Sequence, residues 1–206
     1  MKVLLINGSP NKAGCTFTAL QVVGAELEKQ EIETKNFHIG NKAIHGCIAC
    51  FKCAESGYCI FKDDTANECI DLLKECDGVV VGSPVYYAAP NGALCALLDR
   101  VFFIKNGPYA NKPAAAVLSC RRGGSSAAFD RLNKYFTISS MPVVSSQYWN
   151  GVHGNNPDEV RTDLEGMQIM RTLGRNMAWL LKCIELGKGV IPLPEKEDWT
   201  PTNFIR

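Results

Sequence analysis

Four cysteines lie within thirteen residues of this chain, at Cys47, Cys50, Cys53 and Cys59. The first three are spaced as Cys-x2-Cys-x2-Cys, and such short loops let consecutive thiolates converge on one iron–sulfur cluster. A zinc site is disfavoured, because four-cysteine zinc sites usually combine two well-separated Cys-x2-Cys pairs. The remaining alternatives to a cluster are a reversible disulfide and four unoccupied thiols.

Length and composition favour one soluble domain spanning residues 1–206. The formal net charge is +1, and the chain has no polybasic run for nucleic acid or anionic lipid and no apolar stretch long enough for a membrane span. The first residues do not resemble a secretory signal, so we expect a cytoplasmic protein. Ten cysteines in a reducing compartment favour metal, cluster or redox use over structural disulfides.

The N-terminal forty residues have the pattern of a strand, a polar loop and a helix. Residues 2–6 are a short aliphatic run typical of a buried parallel strand, and residues 17–30 have a helical pattern. The loop between them carries Ser9, Thr16 and two glycines. Such a loop can hold a phosphate on the free amides of the helix, although the spacing is neither the Walker nor the dinucleotide pattern. A simple capped helix remains the alternative.

The rest of the chain continues the alternation of strands and helices. Further strands are predicted at residues 33–39, 79–82, 114–119 and 142–147, and further helices at residues 66–75, 93–104, 126–137 and 165–186. Residues 40–63 form a cysteine-rich insertion after the second strand, and residues 187–206 form a C-terminal tail. A long loop, residues 148–163, separates the last strand from the last helix.

Five strands alternating with helices predict an α/β fold with a doubly wound parallel sheet. In the flavodoxin-like strand order 2-1-3-4-5, the loops after strands one and three flank the point where the winding reverses, and FMN binds there. The loops after strands one, three and four are all rich in glycine, and all emerge at this edge. The sequence therefore predicts a flavodoxin-like FMN domain.

Several motifs resemble those of the flavodoxin-like NADPH-dependent FMN reductase superfamily, and the cysteine run is similar to that of the iron–sulfur flavoproteins. The matching segments are Asn7-Gly8-Ser9-Pro10 with residues 14–16, residues 82–86 with Leu98-Asp99-Arg100, residues 121–124, and Tyr148-Trp149-Asn150. The likeness extends to about residue 182. It implies a [4Fe-4S] cluster on the four cysteines of the insertion.

The resemblance also implies the residues that hold FMN. The phosphate is expected on Ser9, Asn11, Cys15 and Thr16, and the isoalloxazine ring against Pro84, Val85, Tyr86 and Tyr87, with Cys120, Arg121 and Gly124 at its other edge. The family commonly has asparagine where this chain has Cys15. A thiol is a poorer hydrogen-bond donor than an amide, and at a helix N-terminus it can gain thiolate character.

Two functions remain open at this stage. As an enzyme, the protein would use NAD(P)H to reduce free flavin, a quinone or another small acceptor through bound FMN. As an electron carrier, it would pass electrons between a redox protein, the cluster and FMN. A homo-oligomer, either a dimer or a tetramer, would bring the cysteine segment close to a neighbour's flavin. No catalytic residue beyond the flavin is expected, because the three histidines are not arranged for acid–base work.

Overall fold

The computed structural model describes residues 1–104, 107, 109–195, 197–198 and 200–202. Its strands are β1 (Lys2–Asn7), β2 (Glu33–His38), β3 (Gly78–Tyr86), β4 (Ala89–Pro90), β5 (Ala114–Cys120) and β6 (Gly151–His153). Its helices are α1 (Cys15–Glu28), α2 (Cys53–Ser56), α3 (Ala66–Glu75), α4 (Gly92–Val101), α5 (Ser125–Ile138), α6 (Pro157–Thr162) and α7 (Leu164–Gly187). Among these described residues, no helix is both long and apolar enough to cross a bilayer.

The principal strands pair in parallel in the order β2-β1-β3-β5-β6. This is the predicted flavodoxin-like order, since the short β4 pairs only with the end of β3 and runs antiparallel to it. The predicted fold class is therefore confirmed. Because the strands are parallel, their carboxyl ends and the loops that follow them meet at one edge of the sheet.

Alternating side chains of the strands fill two cores, one on each face of the sheet. Leu4 and Ile6 of β1 point to the face covered by α3, α4 and α5. Val3 and Leu5 point to the opposite face, which α1 and α7 cover. Both faces are buried, which explains why β1 reads as a continuous aliphatic run and does not alternate with polar residues.

The predicted fifth strand, residues 142–147, is wrong in its bounds. Val143 makes an isolated bridge to Ala114, and the chain then leaves the sheet and returns as β6, where Gly151 pairs with Leu118. Val143 and Gly151 are therefore eight positions apart, whereas their partners on β5, Ala114 and Leu118, are four positions apart. The extra residues bulge outward and carry Tyr148 and Trp149, which are both exposed. Apolar periodicity predicted a strand there, but periodicity does not record where a bulge interrupts the pairing.

Two other predicted loops contain regular structure. The loop after the third strand is a hairpin, because β3 runs on to Tyr86 and β4 pairs back against it. The long loop of residues 148–163 contains β6 and α6. The predicted tail, residues 187–206, is described only in part, and residues 196, 199 and 203–206 of it lie outside the described residues.

Candidate functional site

The loop between β1 and α1 is held in place by its own polar groups. Asn7, which is 4% exposed, accepts a hydrogen bond from the Ser9 amide at 3.1 Å and donates to the Lys12 carbonyl at 3.2 Å. The Ser9 hydroxyl accepts from the Asn11 amide at 3.1 Å, and a ring nitrogen of His38 lies 2.8 Å from the Ser9 carbonyl oxygen. The loop is therefore ordered before any ligand arrives.

Neighbouring elements fix the position of this loop on the sheet edge. The Asn91 side chain donates to the Gly8 carbonyl at 2.7 Å, and the Gly8 amide donates to the Gly82 carbonyl at 2.8 Å. The Thr16 hydroxyl lies 2.8 Å from that of Ser119, so the first turn of α1 is tied to the end of β5. The predicted phosphate loop thus contacts residues that flank both of the predicted ring-binding segments.

Two helices begin at this edge with no side chain on their first amides. α1 follows Gly14 and α5 follows Gly124, and neither has a capping side chain or an acidic residue in its first turn. In contrast, the other helices of ten residues or more receive a side-chain oxygen there, from Asp64, Asn91 and Asp163 respectively. Free amides at the positive end of a helix suit an anion, so the site has the donors that the phosphate of FMN requires.

The β3–β4 hairpin forms one wall of the candidate ring site. Its two-residue loop is Tyr87-Ala88, and both residues have positive φ, at 50° and 60°. This conformation normally selects asparagine and glycine, so the hairpin is strained where it presents an entirely exposed Tyr87 and a half-exposed Tyr86. Strain at such a surface is frequent at ligand sites.

The opposite wall is the turn that follows β5. Gly124 has φ +89°, and a Cβ built there would lie 2.7 Å from Ala88 Cα and 3.3 Å from Val85 Cγ1. The hairpin therefore rests directly on this glycine. The structure thus brings together Val85, Gly124 and the hairpin tip, while Arg121 is exposed beside them and Pro84 is half-buried at the end of β3.

The two cysteines of this site do not behave as activated thiols. Burial raises the pKa of Cys15 and of Cys120, which leaves both as neutral thiols. Cys15 Sγ contacts the Gly154 carbonyl at 3.8 Å, and Cys120 Sγ lies 3.4 Å from His153 Nδ1. The pKa of Cys15 therefore shifts against the thiolate character expected at the helix N-terminus, because desolvation outweighs the backbone hydrogen bond that acts to lower it.

A second site lies at the cysteine segment. The four predicted thiols line one cavity, whose walls are mostly apolar and include Ile48, Phe51, Ile60, Phe61 and Phe103. Among the described residues, no three cysteine, histidine or carboxylate side chains are placed to hold a single metal ion. Cys47 and Cys50 are exposed, whereas Cys53 and Cys59 are half-buried. Burial and the neighbouring thiols raise the pKa of Cys53.

Side chains of neighbouring elements fix the position of Cys59. The Asn67 side chain accepts from the Cys59 amide at 2.8 Å and donates to its carbonyl at 3.0 Å. Arg100 Nε donates to Cys59 Sγ at 3.1 Å. Arg100 also pairs with Asp64, and both side chains are at most 2% exposed. Although burial acts to raise the pKa of Asp64, Arg100 and two backbone amides lower it below its ordinary value, so the pair is ionised.

Two features of this cavity have the chemistry that an anionic group would require. Arg100 Nη2 is buried without a hydrogen-bond partner in the described part of the chain, although its residue lines the cavity. Ala49 and Phe51 have φ of 51° and 59°, and alternating left-handed residues point amide groups inward, as around many iron–sulfur clusters. Four thiolates carrying iron would thus meet a buried cation and backbone donors.

Sequence reasoning gave no role to several residues that organise these sites. Asn7 and His38 shape the phosphate loop, Asn91 ties it to α4, and Asn67 and Asp64 position Cys59 or its partner Arg100. Asn7 could have been found as the polar residue ending a buried strand. Arg100 carried no such signal, because an arginine on a helix is expected at the surface.

The chain is similar to known flavoproteins over most of its length. Residues 1–156 match the NADPH-dependent FMN reductase family. An iron–sulfur flavoprotein of Methanocaldococcus jannaschii is 32% identical over 193 residues, covering 90% of this chain and 100% of the relative. One from Methanosarcina thermophila is 29% identical, covering 90% and 97%. The NADPH-dependent FMN reductase of Escherichia coli is 27% identical over 99 residues, covering 48% and 47%.

Solved structures share the fold. A crystal structure of RosB with a bound 8-demethyl-8-formylriboflavin-5'-phosphate intermediate gives a TM-score of 0.69 at 13% identity and covers 100% of this chain and 95% of that chain. A flavodoxin from the domain Archaea gives a TM-score of 0.60 at 16% identity and covers 88% and 99%. At these identities the structural likeness shows the fold alone.

Proposed function

Because this chain belongs to the NADPH-dependent FMN reductase family and is an FMN-dependent oxidoreductase, we propose that it oxidises NAD(P)H and reduces a flavin, a quinone or another small acceptor. FMN, when bound, supplies the capacity to accept a hydride and to release electrons singly or in pairs. The nicotinamide gives up two electrons and one proton as that hydride. The acceptor takes the two electrons and the protons that its reduced form needs.

The chain's own residues would bind FMN and orient its ring. We propose that Ser9, Asn11, Cys15 and Thr16 surround the phosphate, with the free amides of α1 as the principal donors. Cys15 contributes through its backbone, since its half-buried thiol is a weak donor directed at the Gly154 carbonyl. The hairpin would then line the ring with Pro84, Val85, Tyr86 and Tyr87. The turn after β5 would lie at the other edge of the ring with Cys120, Arg121 and Gly124.

The observation that carries this proposal is that two uncapped helix N-termini and a strained aromatic hairpin meet at one edge of the sheet. Anaerobic addition of NADH or NADPH to the FMN-loaded protein tests it, with loss of oxidised flavin absorbance as the readout. We expect Thr16→Val to weaken FMN binding, because the variant removes a buried hydroxyl at the site. The matched control is Thr137→Val, on an exposed residue of α5. Flavin that stays oxidised with both nucleotides would refute nicotinamide use.

A second candidate function has its own observation. Four thiols share one cavity with a buried arginine whose Nη2 is unpaired within the described residues, which supports a [4Fe-4S] cluster on Cys47, Cys50, Cys53 and Cys59. The protein would then act as an electron carrier between a redox protein, the cluster and FMN. None of the ten cysteines, all of them among the described residues, is in a disulfide. A reducing compartment such as the cytoplasm suits this state.

Iron and sulfide assays on anaerobically purified protein separate the remaining alternatives. About four irons and four sulfides per chain, with a broad visible absorbance beyond the flavin bands, are the expected result. Flavin bands without iron, together with ten titratable thiols in the unfolded protein, would instead indicate empty cysteines. Two fewer titratable thiols, restored by a reductant, would indicate a disulfide.

We also propose a homo-oligomer, a dimer or a tetramer. The apolar residues around the cysteine cavity are exposed in the single chain, and the rings of Phe51 and Phe103 lie in contact there, with centroids 5.7 Å apart. A neighbouring copy would cover these rings and bring the cysteine segment close to another flavin. Light scattering on the purified protein measures the mass, and a monomer at working concentrations would refute the proposal.

A further inference from the structure

The buried guanidinium of Arg100 donates hydrogen bonds to several groups around the cysteine segment. Nε donates to Cys59 Sγ at 3.1 Å, and Nη1 donates to the His45 carbonyl at 3.1 Å and to the Asp64 carboxylate. Nη2 has no partner among the described residues. One cation therefore contacts a candidate cluster ligand directly while its remaining donor stays free beside the cavity.

Neighbouring aromatic and charged groups fix the position of the Arg100 guanidinium. Its guanidinium carbon lies 5.3 Å from the centre of the Phe61 ring, and the His45 ring stacks on Phe61 with the ring centres 4.3 Å apart. Asp64 is fixed by the amides of His45 and Ala66, at 3.0 and 3.1 Å. Because both charged groups are buried and fixed, solvent screens their effect on the cavity only weakly.

A cation and an N–H group directed at a cluster sulfur stabilise the more negative, reduced form of a cluster. Hydrogen bonds to sulfur, net charge and solvent exposure are what set the potentials of such groups. Asp64 acts in the opposite direction, since a carboxylate destabilises added negative charge. Arg100 and Asp64 therefore shift the reduction potential of a cluster in this cavity in opposite directions.

We propose that Arg100 is a positioning residue for the cysteine site, which fixes Cys59 through its Nε–H···S bond and raises the reduction potential of the iron–sulfur cluster bound there. The inference rests on the second proposed function. It predicts that the two halves of the ion pair have opposite effects on the potential. A merely structural pair would have the same effect in both variants, since removal of either partner leaves a buried charge unpaired.

Redox titration of the cluster, followed by the electron spin resonance of its reduced state in anaerobically prepared protein, tests this. In Arg100→Met the remaining charge is the Asp64 carboxylate, so we expect a shift to lower potential. In Asp64→Asn the remaining charge is the guanidinium, so we expect a shift to higher potential. A tenfold change in the reduction equilibrium, about 59 mV for one electron, is the expected size in each direction.

The double variant Arg100→Met with Asp64→Asn keeps the proposal testable if Arg100→Met alone does not fold. It leaves no unpaired charge and removes only the N–H···S bond and the net field of the pair, so its potential should fall by less than that of Arg100→Met. Glu26→Gln is the control, because Glu26 is a buried carboxylate that pairs with the exposed Arg175 on the opposite face of the sheet. It should destabilise the protein and leave the potential unchanged.

The outcomes separate this inference from the function on which it rests. Wild-type protein without iron and sulfide would refute the cluster, and the inference with it. A cluster whose potential is unchanged in Asp64→Asn and in the double variant, or moves in the same direction in Asp64→Asn and Arg100→Met, would refute the role of Arg100 alone.

Discussion

The substitution Gly124→Ala tests the contact between the hairpin and the turn after β5. At φ +89°, an alanine pays about 1–2 kcal/mol for the left-handed backbone. Its Cβ would lie 2.7 Å from Ala88 Cα and 2.9 Å from Ala88 Cβ, and a backbone atom cannot rotate away as a side chain can. Displacement of the hairpin adds about 1–3 kcal/mol, as expected for an overpacked contact. We therefore expect a loss of about 2–5 kcal/mol in the free energy of unfolding.

Gly189→Ala measures the first part of this cost, the left-handed backbone, without the second. Gly189 also has positive φ, at 75°, but a Cβ there meets nothing within 4 Å. Urea unfolding of the FMN-free proteins should therefore show the smaller, backbone part alone. FMN titrated into each protein should bind at least about tenfold more weakly to Gly124→Ala, which is about 1.4 kcal/mol, and normally to Gly189→Ala. Equal stability losses together with unchanged FMN affinity would refute the contact.

Three further predictions concern other parts of the molecule. Asn91→Ala removes the bond to the Gly8 carbonyl and the cap of α4, so we expect about 1–3 kcal/mol lower stability and weaker FMN binding, whereas normal affinity would contradict its role in the loop. Lys29, with help from Arg175, lowers the pKa of Glu26 below its ordinary value. The stability that this ionised carboxylate contributes is present above the ordinary pKa and is lost as pH falls through the folded pKa. The acid unfolding curves of wild type and Glu26→Gln should therefore converge at low pH. In FMN-free, iron-free protein, a thiol reagent should modify exposed Cys47 rapidly, and buried Cys69, whose pKa burial raises strongly, only at the rate of unfolding; mass spectrometry with early Cys69 labelling would contradict this.

The sheet order could be predicted because its signals are local. β1 is a continuous aliphatic run that ends in a turn-forming loop, and α3 begins and ends at the predicted residues, 66 and 75. The fifth strand could not be placed, because the eight-residue separation of Val143 and Gly151 depends on pairing with β5 and not on the residues between them. The hairpin at Tyr87 was also missed, since a tyrosine–alanine pair lacks the asparagine and glycine that normally indicate such a turn.

The site residues also divide into those with local sequence signals and those that depend on contacts distant in the chain. The free N-terminus of α1 follows from a glycine-bearing loop before a helix with no acidic residue in its first turn, all of which can be read in the sequence. The pKa of Cys15 could not be predicted, because it depends on burial near Gly154, which lies 139 residues away. Arg100 was visible only as part of a motif. Its role needs the three-dimensional placement of Asp64 and Cys59, which come from a different segment.

Helix α4 connects the two candidate sites within one chain. Asn91 caps its beginning and holds the phosphate loop, while Arg100, in its last turn, contacts Cys59. Nine residues at 1.5 Å each separate them by about 14 Å along the helix axis. Leu94, Leu97, Leu98 and Val101 of the same helix are fully buried. Because this apolar face locks α4 onto the sheet, the positions of Asn91 and Arg100 relative to each other are fixed by the core and not by the exposed cysteine segment.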